Sequence, residues 1–392
     1  MVGGDKHMSN VKVVIGSNFG DEGKGLMTDY FCAEAKKRNE SCIVVLSNGG
    51  AQRGHTVVTP DGIRHVFHHF GSGTFVEAHT YFSEQYILNP MTFRKEHEEL
   101  DSLGFKPLVC AHWNCRWSTP YDVIVNQILE DSRGENRHGS CGMGIWETIC
   151  RYTSTGAPSL WHFNMMSEEY KVQFLKNIRD KYVPQRLASA NPDVVKQWEE
   201  ILYSDNLIYN FIDDIRFMCS HIIFDYGRIL RRYDNVVFEN GQGLLLDQNQ
   251  IRYGDNTTPS NTGIQNPHVI IEKYLFSANV EVCYVTRTYL TRHGAGDFDS
   301  ECDKSEINGS MEDKTNVPNP YQGSIRYGKL DVNELVNRIK KDIGEHSYNV
   351  SLAVTHLNEF ENKELLALKE LNVKYLSYKE TRELTEKFPE ST

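Results

Sequence analysis

The sequence contains no long hydrophobic run, and its N-terminus lacks an apolar segment. A membrane-spanning helix needs about 20 consecutive, mostly apolar residues, and a secretory signal needs a shorter apolar core. The pattern therefore predicts no membrane partner and a cytoplasmic location. Residues 1–7 are expected to be an added extension, with the native start at Met8.

The sequence also lacks paired cysteines. Its nine cysteines are scattered, their number is odd, and none forms a Cys-x-x-Cys pair. This pattern fits neither a disulfide framework nor a zinc site, and it is typical of a protein from a reducing compartment.

Positive charge is scarce: the sequence has 42 lysine and arginine residues but 53 aspartate and glutamate residues, which gives a net charge of -11. A groove for a nucleic-acid polymer needs a basic surface, so such a polymer is not expected as a partner. A local pocket for a single nucleotide remains compatible with this charge.

Internal repeats, low-complexity segments and linkers are absent as well. The 392 residues can bury one large core, and the 39% hydrophobic and 24% charged residues are typical of a globular protein. We predict a single large α/β domain over residues 8–392, built around a mostly parallel β-sheet. Residues of about 160–234 are polar and acidic with helical spacing, and they are expected to form a helical excursion that covers the sheet.

The stretch VKVVIGSNFGDEGKG, residues 11–25, predicts a strand, a glycine-rich loop and the start of a helix. Glycines allow the backbone of such a loop to approach a phosphate group. The loop is related to the P-loop but differs from it, because six residues rather than four separate Gly16 from Gly23. Asp21 and Glu22 would repel a phosphate on their own, so they indicate a cation or a proton transfer as well as binding.

Further polar or glycine-rich loops follow predicted strands. The strand at residues 42–46 leads into a loop that ends at His55. Loops at the carboxyl ends of parallel strands gather at one edge of a sheet, so His55 is expected beside Asp21 over a common ligand. The loop at residues 133–144 is expected to form a nest for a monophosphate, with a flexible surface loop as the alternative. Other such loops lie at residues 240–243, 258–261, 291–296, 315–328 and 355–358.

Six segments, in chain order, resemble the motifs of the adenylosuccinate synthetases: GSNFGDEGKG, GGAQRGHTVV, GSCGMGI, FENGQGLLLD, TPSN and TRHGAGDF. They extend across nearly the full chain, while the middle and the C-terminal third diverge. The resemblance implies an α/β fold, a homodimer and Mg²⁺. It also implies a ligase that joins L-aspartate to the 6-position of a purine monophosphate at the expense of a nucleoside triphosphate.

The resemblance assigns the chemistry to two residues. A 6-oxo purine has no leaving group, so its O6 first attacks the γ-phosphate, and the aspartate amine then displaces the 6-phosphoryl group. Asp21 matches the family's base and Mg²⁺ ligand, and His55 matches the residue that contacts the transferring phosphoryl group. The Gly54 carbonyl would be a second Mg²⁺ ligand.

Binding residues follow from the same resemblance. For ATP they are Asn18, Gly20, Glu22, Gly23, Lys24, Gly25, Gly54, Thr56, His356 and Asn358. For the purine monophosphate they are Asp21, Gln52, Ser140, Cys141, Gln242 and Thr258. For aspartate they are Thr315, Gln322, Gly323, Ser324 and Arg326.

Departures from the family concern the choice of substrates. The family reads the guanine of GTP with Thr-Lys-Leu-Asp, whereas residues 355–358 are Thr-His-Leu-Asn. An asparagine offers one acceptor and one donor, which suits adenine, so ATP or dATP is expected in place of GTP. The aspartate loop is also reduced to QGSIR, and Met143 replaces an arginine. These changes resemble the phage PurZ-type branch, the 2-aminoadenylosuccinate synthases, which join aspartate to dGMP.

The acceptor base remains open between guanine and hypoxanthine. Some members of that branch have a small residue at the position of Asp21, whereas this chain keeps the acid. A carboxylate can accept from N1–H and the 2-amino group of guanine at once, so dGMP is the expected acceptor and IMP the alternative. A nucleotide-binding switch without ligase activity is a third hypothesis. A phage-encoded enzyme of this kind would act in the host cytoplasm.

Overall fold

The computed structural model describes residues 8–311 and 322–387. In these residues the strands are β1 (Asn10–Gly16), β2 (Cys42–Leu46), β3 (His55–Val58), β4 (Arg64–Phe67), β5 (His79–Phe82), β6 (Ile87–Leu88), β7 (Val109–His112), β8 (Arg116–Trp117), β9 (Ile222–Asp225), β10 (Asn235–Glu239), β11 (Asn279–Arg287), β12 (Leu290–Arg292), β13 (Glu301–Cys302), β14 (Arg326–Gly328), β15 (Asn349–Thr355), β16 (Val373–Ser377) and β17 (Thr385–Lys387).

The helices of the same residues are α1 (Lys24–Lys37), α2 (Pro90–Ser102), α3 (Pro120–Arg133), α4 (Ile145–Thr155), α5 (Leu160–Asn164), α6 (Glu168–Asn177), α7 (Val183–Arg186), α8 (Pro192–Leu202), α9 (Asp205–Ser220), α10 (Gln265–Tyr274), α11 (Ser305–Asn308), α12 (Val332–Ile343) and α13 (Lys363–Leu366). None of the helices in the described ranges is long and apolar enough to cross a membrane.

Ten strands form one sheet in the order β17-β16-β15-β11-β1-β10-β2-β5-β7-β9. Neighbouring strands are parallel except for β16 and β17, which pair antiparallel. The predicted α/β fold with a mostly parallel sheet is therefore confirmed.

Both faces of the sheet are buried, as parallel sheets require. Successive side chains of a strand point to opposite faces. Accordingly, Val14 and Val44 belong to a core cluster with residues of α1 and α2, whereas Val13 and Val45 belong to a second cluster with residues of α10 and α12. This explains why β1 and β2 are almost continuously apolar.

The predicted helical excursion at residues 160–234 is correct only in part. Helices α5 to α9 occupy it as far as Ser220, but residues 222–225 form β9, which pairs with β7 at the edge of the sheet. The prediction was wrong for this strand because a short apolar run cannot be distinguished by periodicity from one side of an amphipathic helix.

The strands that precede the predicted site loops are neighbours. β15, β11, β1, β10 and β2 are consecutive in the sheet, and all five run parallel. Their carboxyl ends therefore lie at one edge, where parallel α/β sheets bind their ligands.

Candidate active site

A cleft lies over the carboxyl ends of these central strands. Its lining combines residues from the loop after β1, from β3 and from the segment after β15. The predicted residues that it brings together are Gly20, Asp21, Gly23, Lys24, Gly25, Gly54, His55, Thr56, His356 and Asn358. The hydroxyl oxygen of Thr56 is buried without a hydrogen-bond partner among the described residues, so it is available to a ligand.

The glycine-rich loop approaches its neighbours at two points where a side chain would not fit. Gly23 caps α1 with φ 94°, and a Cβ atom there would lie 3.2 Å from Thr355 Cγ2. A Cβ atom on Gly25 would lie 3.0 Å from Cβ of His55. Glycine thus permits the loop to lie between Thr355 and His55.

Two residues assigned to ATP binding from the sequence, Asn18 and Glu22, do not line the cleft. The Glu22 carboxylate accepts from the backbone N–H groups of Asn18 and Gly20 at 2.9 and 2.8 Å, and it lies 3.1 Å from Lys24 Nζ. The Asn18 side-chain oxygen accepts from Arg338 at 2.6 Å. Asn18 and Glu22 are each 2% exposed and lie beneath the loop, so they shape it rather than line the cleft. A buried carboxylate needs such donors, which explains why Glu22 turns inward.

Asp21 is held from two sides. Its Oδ2 atom lies 3.0 Å from Nε2 of His293, and its backbone carbonyl accepts from Nε of Arg287. Burial alone would raise the pKa of Asp21, but the hydrogen bond and charge of His293, with the charges of Arg287 and Lys24, lower it to about 2. Asp21 is therefore an ionised acceptor at neutral pH.

His55 is oriented by a buried carboxylate. Its Nδ1 atom lies 2.7 Å from Oε1 of Glu239, and Oε2 of the same carboxylate accepts from the backbone N–H of Ser72 at 3.1 Å and from Arg53 at 3.3 Å. Burial lowers the pKa of His55 to about 4 although Glu239 opposes this effect. The ring is thus neutral at pH 7, and its Nδ1 proton is donated to Glu239, because a carboxylate only accepts.

The residues present fit a magnesium ion. Mg²⁺ is commonly bound through one or two carboxylates, together with waters and substrate phosphates. The ionised Asp21 carboxylate is 28% exposed, and Asp21 and Gly54 line the same cleft. Among the described residues, no cluster of three or more His, Cys, Asp or Glu side chains could hold a metal ion by itself. Asp21 and the Gly54 carbonyl would therefore share the ion with phosphate oxygens.

Two of the residues assigned to the purine monophosphate meet beside Gly49. A Cβ atom at Gly49 would lie 2.9 Å from Nε2 of Gln52 and 3.1 Å from Oε1 of Gln242. These amide atoms are buried and have no hydrogen-bond partner within the described residues. Buried amides are rarely left in this state, so a polar ligand is their natural partner. Ser260 Oγ accepts from the Gly49 N–H at 3.3 Å, which brings the loop of Thr258 to the same region.

The glycine-rich loop of Ser140 and Cys141 packs against the loop that carries His293. A Cβ atom at Gly139 would lie 2.8 Å from Cα of Gly294. Burial raises the pKa of the Cys141 thiol to about 11, so it is a neutral group at pH 7. The structure thus connects this predicted monophosphate loop with the partner of Asp21.

Tyr327 of the predicted aspartate loop lines the cleft, whereas Gln322, Gly323, Ser324 and Arg326 do not. Thr315 lies outside the described residues, and Gly323 and Ser324 are exposed, as the segment that begins at Gln322 leads into β14. Arg326 donates from Nε to Glu301 at 2.8 Å and from Nη1 to the Gly296 carbonyl at 2.9 Å. The assignment of Arg326 to aspartate binding stays a prediction, and in this structure its guanidinium is engaged by Glu301.

Sequence reasoning missed several residues around the site. Glu239 and Arg287 are the last residues of buried parallel strands, and His293 follows the arginine of the TRHGAGDF segment. A charged residue that ends an apolar strand is costly unless it is paired or functional, and this was the signal that could have found the first two.

Solved structures share this fold. The fully ligated adenylosuccinate synthetase from Plasmodium falciparum superposes with a TM-score of 0.74 at 18% identity, covering 97% of this chain and 100% of its own. The cyanophage S-2L succinoaminodeoxyadenylate synthetase (PurZ), bound to dGMP and dATP as an energy donor, has a TM-score of 0.66 at 13% identity, covering 97% and 96%.

Sequence relatives point to the same group of proteins. The adenylosuccinate synthetase of Clostridium novyi (strain NT) is 31% identical over 307 residues, which cover 74% of this chain and 65% of that protein. The adenylosuccinate synthetase of Prochlorococcus marinus (strain NATL1A) is 29% identical over 331 residues, which cover 78% and 66%. The chain therefore spans just under two thirds of the length of these curated relatives.

The family model described as adenylosuccinate synthetase matches residues 13–373, which include most of the cleft lining and most of the sheet. The resemblance drawn from the six sequence segments is confirmed by this match: the chain belongs to the adenylosuccinate synthetase family.

Proposed function

We propose that this protein is a ligase that joins L-aspartate to the 6-position of dGMP and uses ATP or dATP as the energy donor. The products would be N6-succino-2-amino-2′-deoxyadenylate, ADP or dADP, and phosphate, for the synthesis of 2-aminoadenine DNA. One observation carries the proposal: Asp21, His55 and Lys24 line the same cleft as His356 and Asn358. The groups needed for phosphoryl transfer thus share a cleft with a base-reading segment.

The first chemical step would begin at Asp21. Its ionised carboxylate would accept the N1 proton of the purine while O6 attacks the γ-phosphorus and the bond to the departing nucleoside diphosphate breaks. In the second step the aspartate amine attacks C6, loses a proton, and releases the O6-phosphoryl group as phosphate. Mg²⁺, held by Asp21 and the Gly54 carbonyl, would offset the negative charge of the phosphate oxygens.

His55 would stabilise the transferring group through Nε2. Since the proton of the neutral ring is on Nδ1 and is donated in the hydrogen bond to Glu239, Nε2 becomes a donor only when the ring gains a second proton. The negative charge of a bound triphosphate favours this imidazolium form, as does the carboxylate of Glu239. The pair would therefore supply a charged donor when the substrate is bound.

Two observations support the choice of substrates. Asn358 offers a donor and an acceptor that match adenine, and the cyanophage PurZ, which shares this fold, is bound to dGMP and to dATP as its energy donor. IMP is the second candidate acceptor, because the sequence relatives are named adenylosuccinate synthetases and this chain keeps the acid at residue 21. We further propose a homodimer that acts in the cytoplasm, or in the host cytoplasm if a phage encodes it.

The test is release of ADP or dADP with each acceptor, dGMP or IMP, and each donor, ATP, dATP or GTP, with and without aspartate. We expect the highest kcat/KM with dGMP and an adenine nucleotide, and no release unless both aspartate and the monophosphate are present. Preference for IMP would return the protein to the ordinary synthetases. Release that is independent of aspartate would contradict a ligase, and absence of turnover with every pair would favour a nucleotide-binding switch.

A further inference from the structure

We propose that Arg287 binds the γ-phosphoryl group of the nucleotide donor and stabilises it during transfer. The inference rests on the proposed function, since it concerns the same cleft and the same donor. Arg287 is the last residue of β11, is 6% exposed and lines the cleft together with Lys24 and Asp21.

The hydrogen bonds of Arg287 place it between the catalytic residue and the base-reading segment. Its Nε atom donates to the backbone carbonyl of Asp21. Its Nη1 atom donates at 2.9 Å to the hydroxyl of Tyr289, which in turn donates to Glu359, the neighbour of Asn358. A nucleotide donor whose base contacts Asn358 and whose γ-phosphate reaches Asp21 must therefore extend past Arg287.

The positive charge of Arg287 acts on both Asp21 and His356. Burial is the largest influence on the pKa of Asp21 and of His356, and the charge of Arg287 lowers both values. The hydrogen bond from Nε to the Asp21 carbonyl places the guanidinium beside this residue, and His356 lines the same cleft. A triphosphate lying between these two groups would come under the same field.

The other cationic side chains that line the cleft, Lys24 and Lys379, are less suited to hold the γ-phosphoryl group than Arg287. Lys24 lies 3.1 Å from the Glu22 carboxylate, which offsets part of its charge, and Lys379 lines the cleft as an exposed residue. A buried arginine holds a phosphoryl group by a rigid fork of N–H donors, and such arginines stabilise the charge that develops in phosphoryl transfer. The anchoring of Nε and Nη1 fixes the plane of this fork.

Binding measurements separate a γ-phosphate contact from a purely structural role. Affinities of ADP and of AMP-PNP, the imido analogue of ATP, are measured by calorimetry for the wild type, Arg287→Gln and Tyr289→Phe. Arg287→Gln should weaken AMP-PNP by roughly 10- to 100-fold while ADP changes by less than about threefold, because only AMP-PNP has a γ-phosphoryl group. Tyr289→Phe, which removes one anchor of the guanidinium, should give a smaller loss in the same direction.

Lys379→Gln is the matched control, because it removes an exposed positive charge from the same cleft and should affect ADP and AMP-PNP by similar factors. Equal weakening of both ligands by Arg287→Gln, or no weakening, would overturn the inference. If Arg287→Gln does not fold, Arg287→Lys replaces it, and the loss of affinity for AMP-PNP is again compared with the loss for ADP. A wild type that binds only guanine nucleotides would contradict the proposed donor but not the role of Arg287. The affinities for GMP-PNP and GDP would then be compared in place of those for AMP-PNP and ADP.

Discussion

The Nδ1 atom of His55 and the Oε1 atom of Glu239 lie 2.7 Å apart, although the two residues are 184 positions apart in the sequence. The carboxylate is 1% exposed and also accepts from Ser72 and Arg53. Burial alone would raise the pKa of Glu239, but Arg53, His55 and Ser72 lower it to about 2. The histidine is therefore held against a permanent negative charge, which fixes its tautomer and the direction of Nε2.

Glu239→Gln and His55→Ala should impair the same step. His55→Ala is expected to lower kcat by ~10²- to 10³-fold, as loss of a transition-state donor does, and Glu239→Gln should lower it by a smaller factor with little change in KM. Because Glu239 acts through His55, the double variant should be no slower than His55→Ala. Steady-state kinetics of the three variants test this, with melting curves to verify folding at the assay temperature. Full additivity of the two losses would contradict the pairing.

Asp21→Asn should abolish proton acceptance while nucleotide binding largely survives. The amide is nearly isosteric but cannot take the N1 proton, and removal of a positioned base is expected to lower kcat by ~10²- to 10⁴-fold. Calorimetric titration with ADP and single-turnover assays on the same preparation separate binding from chemistry. A turnover rate near that of the wild type would refute the role of Asp21.

Arg326 must leave Glu301 if it is to bind the substrate aspartate. The ion pair is 27% and 45% exposed on its two side chains, and such pairs are worth up to about 1 kcal/mol. We expect Arg326→Ala to raise the KM for aspartate much more than the KM for the monophosphate. Glu301→Gln should lower the KM for aspartate by up to about fivefold, since it releases the arginine. Equal effects of Arg326→Ala on both KM values would contradict the assignment.

Glu281, near the start of β11, gives a prediction of pH-dependent stability. Lys12 and Lys374 lie 2.5 and 3.0 Å from Oε2, and Ser351 and Tyr375 donate to Oε1 at 2.7 and 3.0 Å. Burial alone would raise its pKa, but Lys12, Ser351 and Lys374 lower it from 4.5 to about 2. The unfolded chain therefore binds the proton more readily, so the stabilisation is complete above pH 4.5 and is lost as the pH falls towards 2.

The corresponding experiment is urea unfolding of the wild type and Glu281→Gln at pH 6 and pH 3. At pH 6 the variant should lose up to about 3 kcal/mol in the free energy of unfolding, and the difference should shrink at pH 3. Glu370→Gln is the control, because its pair with Lys340 is 56% exposed on both sides and should matter little at either pH. A Glu281 difference that is the same at both pH values would contradict the linkage.

Local sequence patterns were sufficient to predict buried strands of the central sheet and the loops that follow them. The β-branched run at residues 42–46 is a strand with the predicted bounds, and the loop after it leads to His55, which lines the same cleft as Asp21. This worked because a buried parallel strand has a strong signature of its own. The short strand Ile222–Asp225 lacked that signature, since its central residues read equally well as part of a helix.

The candidate site was harder to predict where its contacts are distant in sequence. The cleft lining of Asp21, His55 and Asn358 could be expected, since each residue belongs to a motif. The contact of Glu239 with His55 and of Arg287 with Asp21 depends on which strands are adjacent, and no local pattern specifies strand order. The inward orientation of the Glu22 side chain could not be predicted either, because only the folded loop shows that its own amides satisfy the carboxylate.

Asn358→Asp should exchange the preferred donor base. Asn358 is exposed at the cleft wall, next to His356, whose backbone φ of 59° turns the segment after β15. Asparagine matches adenine N6 and N1, whereas aspartate offers two acceptors to N1–H and the 2-amino group of guanine, so the variant should weaken ATP and improve GTP. The expected swing in kcat/KM is on the order of 1 to 3 kcal/mol, the cost of a mismatched polar partner. Phe360→Leu changes an exposed neighbour but not the hydrogen-bonding groups of residue 358, so it should leave the ratio of kcat/KM for ATP to that for GTP unchanged. A wild type that prefers GTP would overturn the adenine assignment.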